Sequence, residues 1–411
     1  MLRSMFSGIS GMKNFQTKLD VIGNNIANVN TAGFKKGRVT FKDSMNQMVA
    51  GASAATENRG GKNAMQVGLG STLATIDTIH TGSSLQTTNR PLDLGIDGDG
   101  YFVVKQGDAQ FYTRAGNFYL DDYGTLVTAD GLKVQAYKYA ADGKTLTNTY
   151  GDVAVNVNAV LPPVTTKTVM VSENLAANAN GGTTFKQTIR VIDKDGNPQS
   201  VDITFKKHGT TTNLWNVFVN TDPDASPTPA SLALTFNANG TLATQTPDKN
   251  TNFTVDVLGN GAGTDDLPIK FDFSSITQLN GSTTALVKPD GNTEGKLESF
   301  SVGMSGDISG IYSNGQILTL GRLALAKFSN SSGLLKSGNN TFQESINSGA
   351  ANIGAAGDGR GVIASGTLEM SNVDLSEEFT EMITAQRGFQ ANTRIITTSD
   401  EILQELVNLK R

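Results

Sequence analysis

Residues 372–409 read NVDLSEEFTEMITAQRGFQANTRIITTSDEILQELVNL, and the periodicity of this stretch decides the fold. Met382, Phe389, Ile396 and Leu403 recur every seven residues, the spacing of a helix that buries a narrow seam against another helix. The companion positions Phe379, Gln386, Thr393, Asp400 and Val407 are apolar only at the outer ends. A polar seam position costs stability but fixes register, which suits a subunit that packs one way among identical copies. Asn372 or Asp374 supplies an N-cap, and Glu377 a reciprocal capping partner with a negative charge in the first turn. Neither Gly nor Pro follows Gly388, so the helix extends to about Leu409, roughly 50 Å at 1.5 Å per residue. A helix of that length has no place inside one small domain and needs a partner.

The amino-terminal end offers one. Phe15, Leu19, Ile22, Ile26 and Val29 are spaced by four, three, four and three, and Leu2, Met5, Ile9 and Met12 precede them on the same rule. A helix is expected over most of residues 2–28, paired with the C-terminal one.

Between the ends the period falls to two. Leu92, Leu94 and Ile96 alternate, and strands are expected at Tyr101–Val104, Phe111–Thr113, Phe118–Leu120, Leu126–Thr128 and Lys133–Tyr137, with turns at Asp97-Gly98, Gly107-Asp108 and Asp130-Gly131. After Pro162-Pro163, Phe185, Ile189 and Val191 lead to the turn Asp195-Gly196-Asn197-Pro198, and Val201, Ile203 and Phe205 return. The only tryptophan, Trp215, lies in a strand from Leu214 to Val219, before a loop holding Pro223, Pro227 and Pro229. Strand patterns resume at Ile317–Phe328 after the turn Ser313-Asn314-Gly315, and residues 329–361 read as an irregular connector.

The expected fold is mainly β with long terminal α-helices, in a nested multidomain arrangement. Residues 1–30 and 370–411 form the helical pair, 31–70 and 360–369 are connectors, 71–148 and 290–359 form an inner β domain, and 149–289 an inserted outer β domain. Seam burial on two helices is small against the entropy of ordering both ends, so neighbouring copies are expected to complete their stabilisation.

Composition narrows the function. The chain has 411 residues, 45 of them Gly, with 17% charged residues and a net charge of −5. No basic stripe can track a phosphate backbone, so nucleic acid is not an expected partner. There is no cysteine, which excludes disulfides, thiolate nucleophiles and Cys-ligated metals. The opening MLRSMFSGISGMKNF has no continuous apolar stretch or small-residue cleavage site and does not read as a secretory signal; no window matches a membrane span.

Candidate chemistry is sparse, and no cofactor or metal is expected. His80 and His208 are the only histidines, and Asp77, three residues before His80, finds no further ligand nearby, so surface or turn positions are expected for both. Taking Asp97 as the first position of a calcium loop puts Phe102 where Gly is required and Asp108 where a bidentate Glu is required, which leaves Asp97-Gly98-Asp99-Gly100 as a turn. The run Gly354–Gly361 lacks the Lys-Ser/Thr pair of a P-loop. Two of the scattered carboxylates meeting in space as a glycosidase pair stays open, with an extracellular glycan-acting enzyme as the alternative from another class.

Five motifs in order carry a resemblance. Asn24-Asn25-Ile26-Ala27-Asn28-Val29-Asn30-Thr31-Ala32-Gly33-Phe34-Lys35 resembles the amino-terminal signature of the bacterial flagellar rod and hook family. Pro91-Leu92-Asp93-Leu94 through Asp97-Gly98-Asp99-Gly100-Tyr101-Phe102 resembles its inner-domain motif, and Tyr112-Thr113-Arg114-Ala115-Gly116-Asn117-Phe118 the one that follows. Leu368-Glu369-Met370-Ser371-Asn372-Val373-Asp374-Leu375 and Gln386-Arg387-Gly388-Phe389-Gln390-Ala391-Asn392 complete the set. The large middle and Tyr312-Ser313-Asn314-Gly315 resemble the hook branch; a distal rod subunit is the alternative within the family. The resemblance implies a self-assembling structural subunit, not an enzyme, in an extracellular curved tube that transmits torque as a universal joint. It implies as partners further copies of the chain, the distal rod protein, the hook-filament junction protein, the hook cap and the flagellar type III export apparatus.

Overall fold

The computed structural model describes residues 2–55, 59–139, 145–156, 160–211, 213–220, 232–246, 253–255 and 267–409. Two helices bracket a chain of short strands: α1, Leu2–Ala27, and α2, Leu375–Asn408. The chain divides into two compact units, Met1–Asn156 with Phe300–Gly310 and Leu318–Arg411, and Val157–Ser299 with Ile311–Ile317. The β-rich, helix-ended and nested architecture expected from the periodicity is the one found.

In the second unit, strand alternation makes a two-sheet core. Thr184–Ile192 and Pro198–Lys207 pair antiparallel with Ile189 opposite Val201 and Ile192 opposite Pro198, the hairpin read from the sequence. Its turn is held by the Asp193 carboxylate, which accepts from Asp195 N and Asn197 N at 2.9 and 2.8 Å. Leu214–Val219, Leu232–Phe236 and Leu242–Thr246 extend this sheet to five strands. A second sheet sets Thr168–Ala176 parallel to Leu267–Leu279 and antiparallel to Leu286–Pro289. Phe205, Trp215, Phe271 and Phe273 are buried in one cluster drawn from both sheets. Each such side chain contributes roughly 1.5–3 kcal/mol. The proline-rich loop read at Asp222–Pro229 lies outside the described residues.

In the first unit, Tyr101–Gln106 and Ala109–Thr113 form a hairpin, and Lys133–Tyr139 pairs with the first of these strands. Tyr101, Val103, Tyr112, Ala324, Phe328 and Phe342 share a core. The strands leading into α2 pair with an earlier segment: Val362–Ser365 with Leu94–Asp97, and Thr367–Glu369 with Leu85–Thr87. Gly33 N donates to Glu369 O at 2.8 Å, which draws the entry to α2 beside the exit from α1.

Two stretches depart from the sequence reading. Residues 329–361 are not an irregular connector throughout, because Leu335–Gly338 and Thr341–Gln343 form a tight hairpin and Asn352–Ala355 another strand. The two loop residues, Asn339 and Asn340, have φ of 48° and 56°, left-handed values that Asn tolerates and a two-residue hairpin requires. The stretch read as a connector after residue 31 carries a β ribbon, Gly37–Asp43 with Ser71–Thr78, continued by Asn46–Ala50 with Met65–Gly68.

Candidate assembly interface

The helices run antiparallel, with a four-three seam on each. On α1 it comprises Gly8, Met12, Phe15, Leu19, Ile22 and Ile26; on α2 it comprises Glu378, Met382, Ala385, Phe389, Asn392, Ile396, Ser399 and Leu403. Phe15, Leu19, Ile22, Ile26, Met382, Phe389, Ile396 and Leu403 are all buried or half-buried. Close approach relies on glycine. A Cβ on Gly388 would lie 2.6 Å from the Phe15 ring, and one on Gly11 would lie 2.7 Å from the Asn392 side chain. Glycine inside a helix costs about 1 kcal/mol relative to alanine, and here it lets an aromatic ring lie against the opposite backbone.

Three expected positions need correction. Phe379 is 49% exposed and stands outside the seam, whose companion position is one residue earlier at Glu378, Ala385, Asn392 and Ser399. Spacings of three and four both fall on one helix face, so the stripe alone does not choose between 378 and 379; the partner's position does. Gln386, Thr393 and Asp400 are accordingly exposed, although the Thr393 hydroxyl still reaches Met12 Sδ across the seam at 3.3 Å. Ile9 is likewise exposed and Gly8 takes its place, while Val29 lies in the turn after α1, half-buried.

Asp374 caps α2, its carboxylate accepting from Ser376 N at 2.8 Å and Glu377 N at 3.4 Å. Glu377 does not close the expected box. It accepts from Lys36 Nζ at 2.7 Å instead. Asn25, 1% exposed, ties three elements together: its amide donates to Gly37 O and Glu378 Oε2 at 2.9 and 3.1 Å and its oxygen accepts from Gly37 N at 2.9 Å. Burial raises the Glu378 pKa, opposed by this hydrogen bond and by the Lys36 charge. Asn28 donates to Asn24 O and so tightens the helix end.

The junction between helices and β structure centres on Glu369, which is fully buried. Its carboxylate accepts from Lys35 Nζ at 2.6 Å, Arg114 Nη1 at 3.0 Å and Ser83 N at 3.2 Å. Arg114 also donates to Gly98 O at 2.8 Å, and Lys35 to Thr81 O at 2.8 Å. Burial lowers the Lys35 pKa, and the Glu369 charge opposes this. Gly33 has φ 70° and packs so closely that a Cβ would lie 2.6 Å from Ala115 N. Phe34 is buried beneath the Lys336 ammonium. Asn372 accepts from Lys36 N and donates to Ile79 O, each at 2.8 Å, and Ser371 O accepts from Ser83 Oγ. Four of the five motif segments thus meet at one joint, and the fifth, residues 386–392, packs on α1 through Gly388 and Asn392. Asp97, Gly98 and Gly100 form a tight turn with both glycines at positive φ, while Gln386 and Arg387 are exposed on α2.

Lys35, Arg114 and Glu369 have no assigned role in the sequence reading, although each falls inside one of the family motifs. His80 is not at the surface. Its Nδ1 pairs with the Tyr101 hydroxyl at 2.7 Å, its ring meets Phe342 edge-on, and burial with the nearby Lys35, Lys336 and Arg114 charges lowers its pKa to about 4. His208 occupies a turn and accepts from Thr211 N.

An open cleft of about 460 Å³ lined by Asn28, Thr31, Thr113, Asn117, Asp130 and Asn340 holds one carboxylate, where a glycosidase needs two. Among the described residues no three His, Asp or Glu side chains gather as a metal site, and no helix is long and apolar enough to cross a membrane.

Paired terminal helices, a buried joint and inserted β structure define a nested, helix-ended β protein. Residues 5–35 match the family described as "Flagella basal body rod protein", 95–176 "Flagellar hook protein FlgE/F/G D1 domain", 156–292 "Flagellar basal body protein FlaE D2 domain", and 364–409 "Flagellar basal body rod FlgEFG protein C-terminal". The chain is 42% identical to the flagellar hook protein FlgE of Borreliella burgdorferi, over 100% of both chains. It is 41% identical to the flagellar basal-body rod protein FlgG of Bacillus subtilis over 100% of both, and 34% identical to FlgE of Escherichia coli over 98% of both. The crystal structure of Helicobacter pylori flagellar hook protein FlgE2 shares the fold, with a TM-score of 0.53, 16% identity, and coverage of 69% of this chain and 100% of that one. The chain belongs to the flagellar hook and rod protein family; it is a polymer-forming structural subunit of the hook type and not an enzyme.

Proposed function

We propose that copies of this chain build the curved extracellular tube that joins rod to filament and carries motor torque around a bend. The seam residues Phe15, Leu19, Ile22, Ile26, Met382, Phe389, Ile396 and Leu403 hold the helix pair, which faces the inner tube. Val29 and the exposed Phe379 serve as further assembly contacts. The domain bounds follow the sequence reading, with residues 149–289 as the outer domain. The partners are further copies of the chain, the distal rod protein, the hook-filament junction protein and the hook cap. Subunits leave the cell through the flagellar type III export apparatus without a cleaved signal peptide.

The observation that carries this reading is a helix pair with apolar side chains left exposed, in a chain whose second unit has a buried core of its own. Electron microscopy of the purified protein induced to polymerise tests it. Curved tubes are expected, straight tubes favour the distal rod alternative, and persistent monomers overturn the reading.

A further inference from the structure

Glu378 holds a carboxylate where the helix pair meets the start of the β ribbon. Its side chain is 6% exposed, against 56% for its neighbour Glu377. On α2 it is flanked by Glu377, one residue before, and Glu381, three residues after. The cations that face it come from the other elements: Lys18 on α1, Lys36 just before the ribbon, and Arg38 in its first strand. Each of them has another carboxylate as its ion-pair partner. Lys18 Nζ lies 3.2 Å from Glu381, Lys36 Nζ 2.7 Å from Glu377, and Arg38 Nη2 3.5 Å from Asp77 on the opposite strand. Among the described residues the nearest cation to Glu378 is that same Lys36, at 3.9 Å. Three glutamates thus share two lysines, and the excess negative charge falls on the one least able to reach water. The close contact of Glu378 is a neutral group, the Asn25 amide at 3.1 Å.

We propose that Glu378 is a proton-operated clasp, which holds α1, α2 and the start of the ribbon together more tightly when its carboxyl is protonated than when it is ionised. A protonated carboxyl keeps an oxygen to accept from the Asn25 amide, so the tie from Asn25 to Gly37 and α2 survives, while repulsion from Glu377 and Glu381 is removed. A cleft of about 50 Å³, lined in part by Lys18, Asn25, Lys36, Glu377 and Glu381, has room for the water that delivers the proton. Burial raises the Glu378 pKa most, and Glu381 and Glu377 add to it against the Asn25 hydrogen bond and the Lys36 charge. The folded value therefore lies above the unfolded one, and between the two the closed joint binds more protons than the open one. Closure is strongest below the unfolded value and weakens as pH rises through the folded value. The clasp acts within one chain and needs no neighbouring copy.

Amide hydrogen exchange of peptides from α1 and α2 reads the opening of this joint. The full-length monomer, Glu378→Gln and Glu381→Gln are exchanged side by side from mildly acidic to neutral pH, and the ratio of variant to native rates at each pH cancels the intrinsic pH dependence of exchange. For Glu378→Gln a ratio well below one is expected at neutral pH, climbing toward one as pH falls. Glu381, whose side chain is 47% exposed, supplies the second variant and guards against misfolding of the first. Glu381→Gln leaves two glutamates for two lysines, so it too is expected to exchange more slowly than the native chain at neutral pH. A Glu378→Gln ratio that does not change with pH, faster exchange of Glu378→Gln at neutral pH, or a Glu381→Gln profile identical to the native one overturns the proposal.

Discussion

Glu369 lies against two cations with no solvent to screen them, and its removal has a calculable sign. Glu369→Gln leaves Lys35 and Arg114 facing each other in a buried site, which costs about 3–5 kcal/mol, whereas replacing all three with apolar residues of similar volume is closer to neutral. Denaturant titration of the single and triple variants checks this order; equal destabilisation contradicts it. His80 provides a second measurement at this scale. Its folded pKa of about 4 is below the ordinary 6.5, so between those values the unfolded chain binds more protons than the folded one and stability rises with pH. The contribution is fully present above about pH 6.5, amounts to about 3 kcal/mol, and is lost as pH falls through about 4. His80→Gln is expected to flatten the part of the pH–stability curve that carboxylates do not explain. Identical slopes for the two proteins between pH 4.5 and 6.5, a window taken from these values, count against it.

The helix pair is narrow, and its contacts depend on single positions. Gly388→Leu drives a side chain into the Phe15 ring, so tube formation is expected to fail, while Gln386→Ala, one turn face away, leaves it intact. Ile396→Asp places a charge on the seam beside Gly8. It is expected to abolish polymerisation with little change in the melting of the β core, because that core contains no helical residue. Limited proteolysis of the monomer is expected to trim both helices to a core near residues 70–360, and assembled tubes to resist. A protease-resistant helix pair in the monomer, or a melted β core in Ile396→Asp, places the helices within the monomer's own cooperative unit.

At the scale of the whole molecule, the buried cluster of the second unit runs from Val169 to Val287 and lies entirely within residues 149–289. That fragment is expected to fold alone and unfold cooperatively, reported by the emission of Trp215, which is fully buried. A fragment whose tryptophan emits as in water from the start contradicts an autonomous domain. Replacing the same residues with a short linker is expected to leave subunits that associate but form straighter or stiffer tubes. Unchanged curvature removes this domain from the bending mechanism.

Local periodicity determined much of this protein. A four-three apolar spacing specified both terminal helices, and alternation with Asp-Gly turns specified the hairpin at 195–196 and the strand holding Trp215. Both patterns express the geometry of a single element, so they are legible without a partner. The hairpin closed by Asn339 and Asn340 is not legible because its strands are short and its signal is a backbone conformation, and the β ribbon after α1 is not legible because its strands are largely exposed and show no buried apolar alternation. Tertiary structure alone decided which face of α2 meets α1. Three- and four-residue spacings serve either of two adjacent faces, and the choice fell to Gly388, Ala385 and the buried Asn25–Glu378 contact. It also decided that Lys35, Arg114 and Glu369, up to 334 residues apart, share one buried site. A charge in a sequence carries no mark of its partner, and only the folded chain supplies the low-dielectric surroundings in which that partner becomes obligatory.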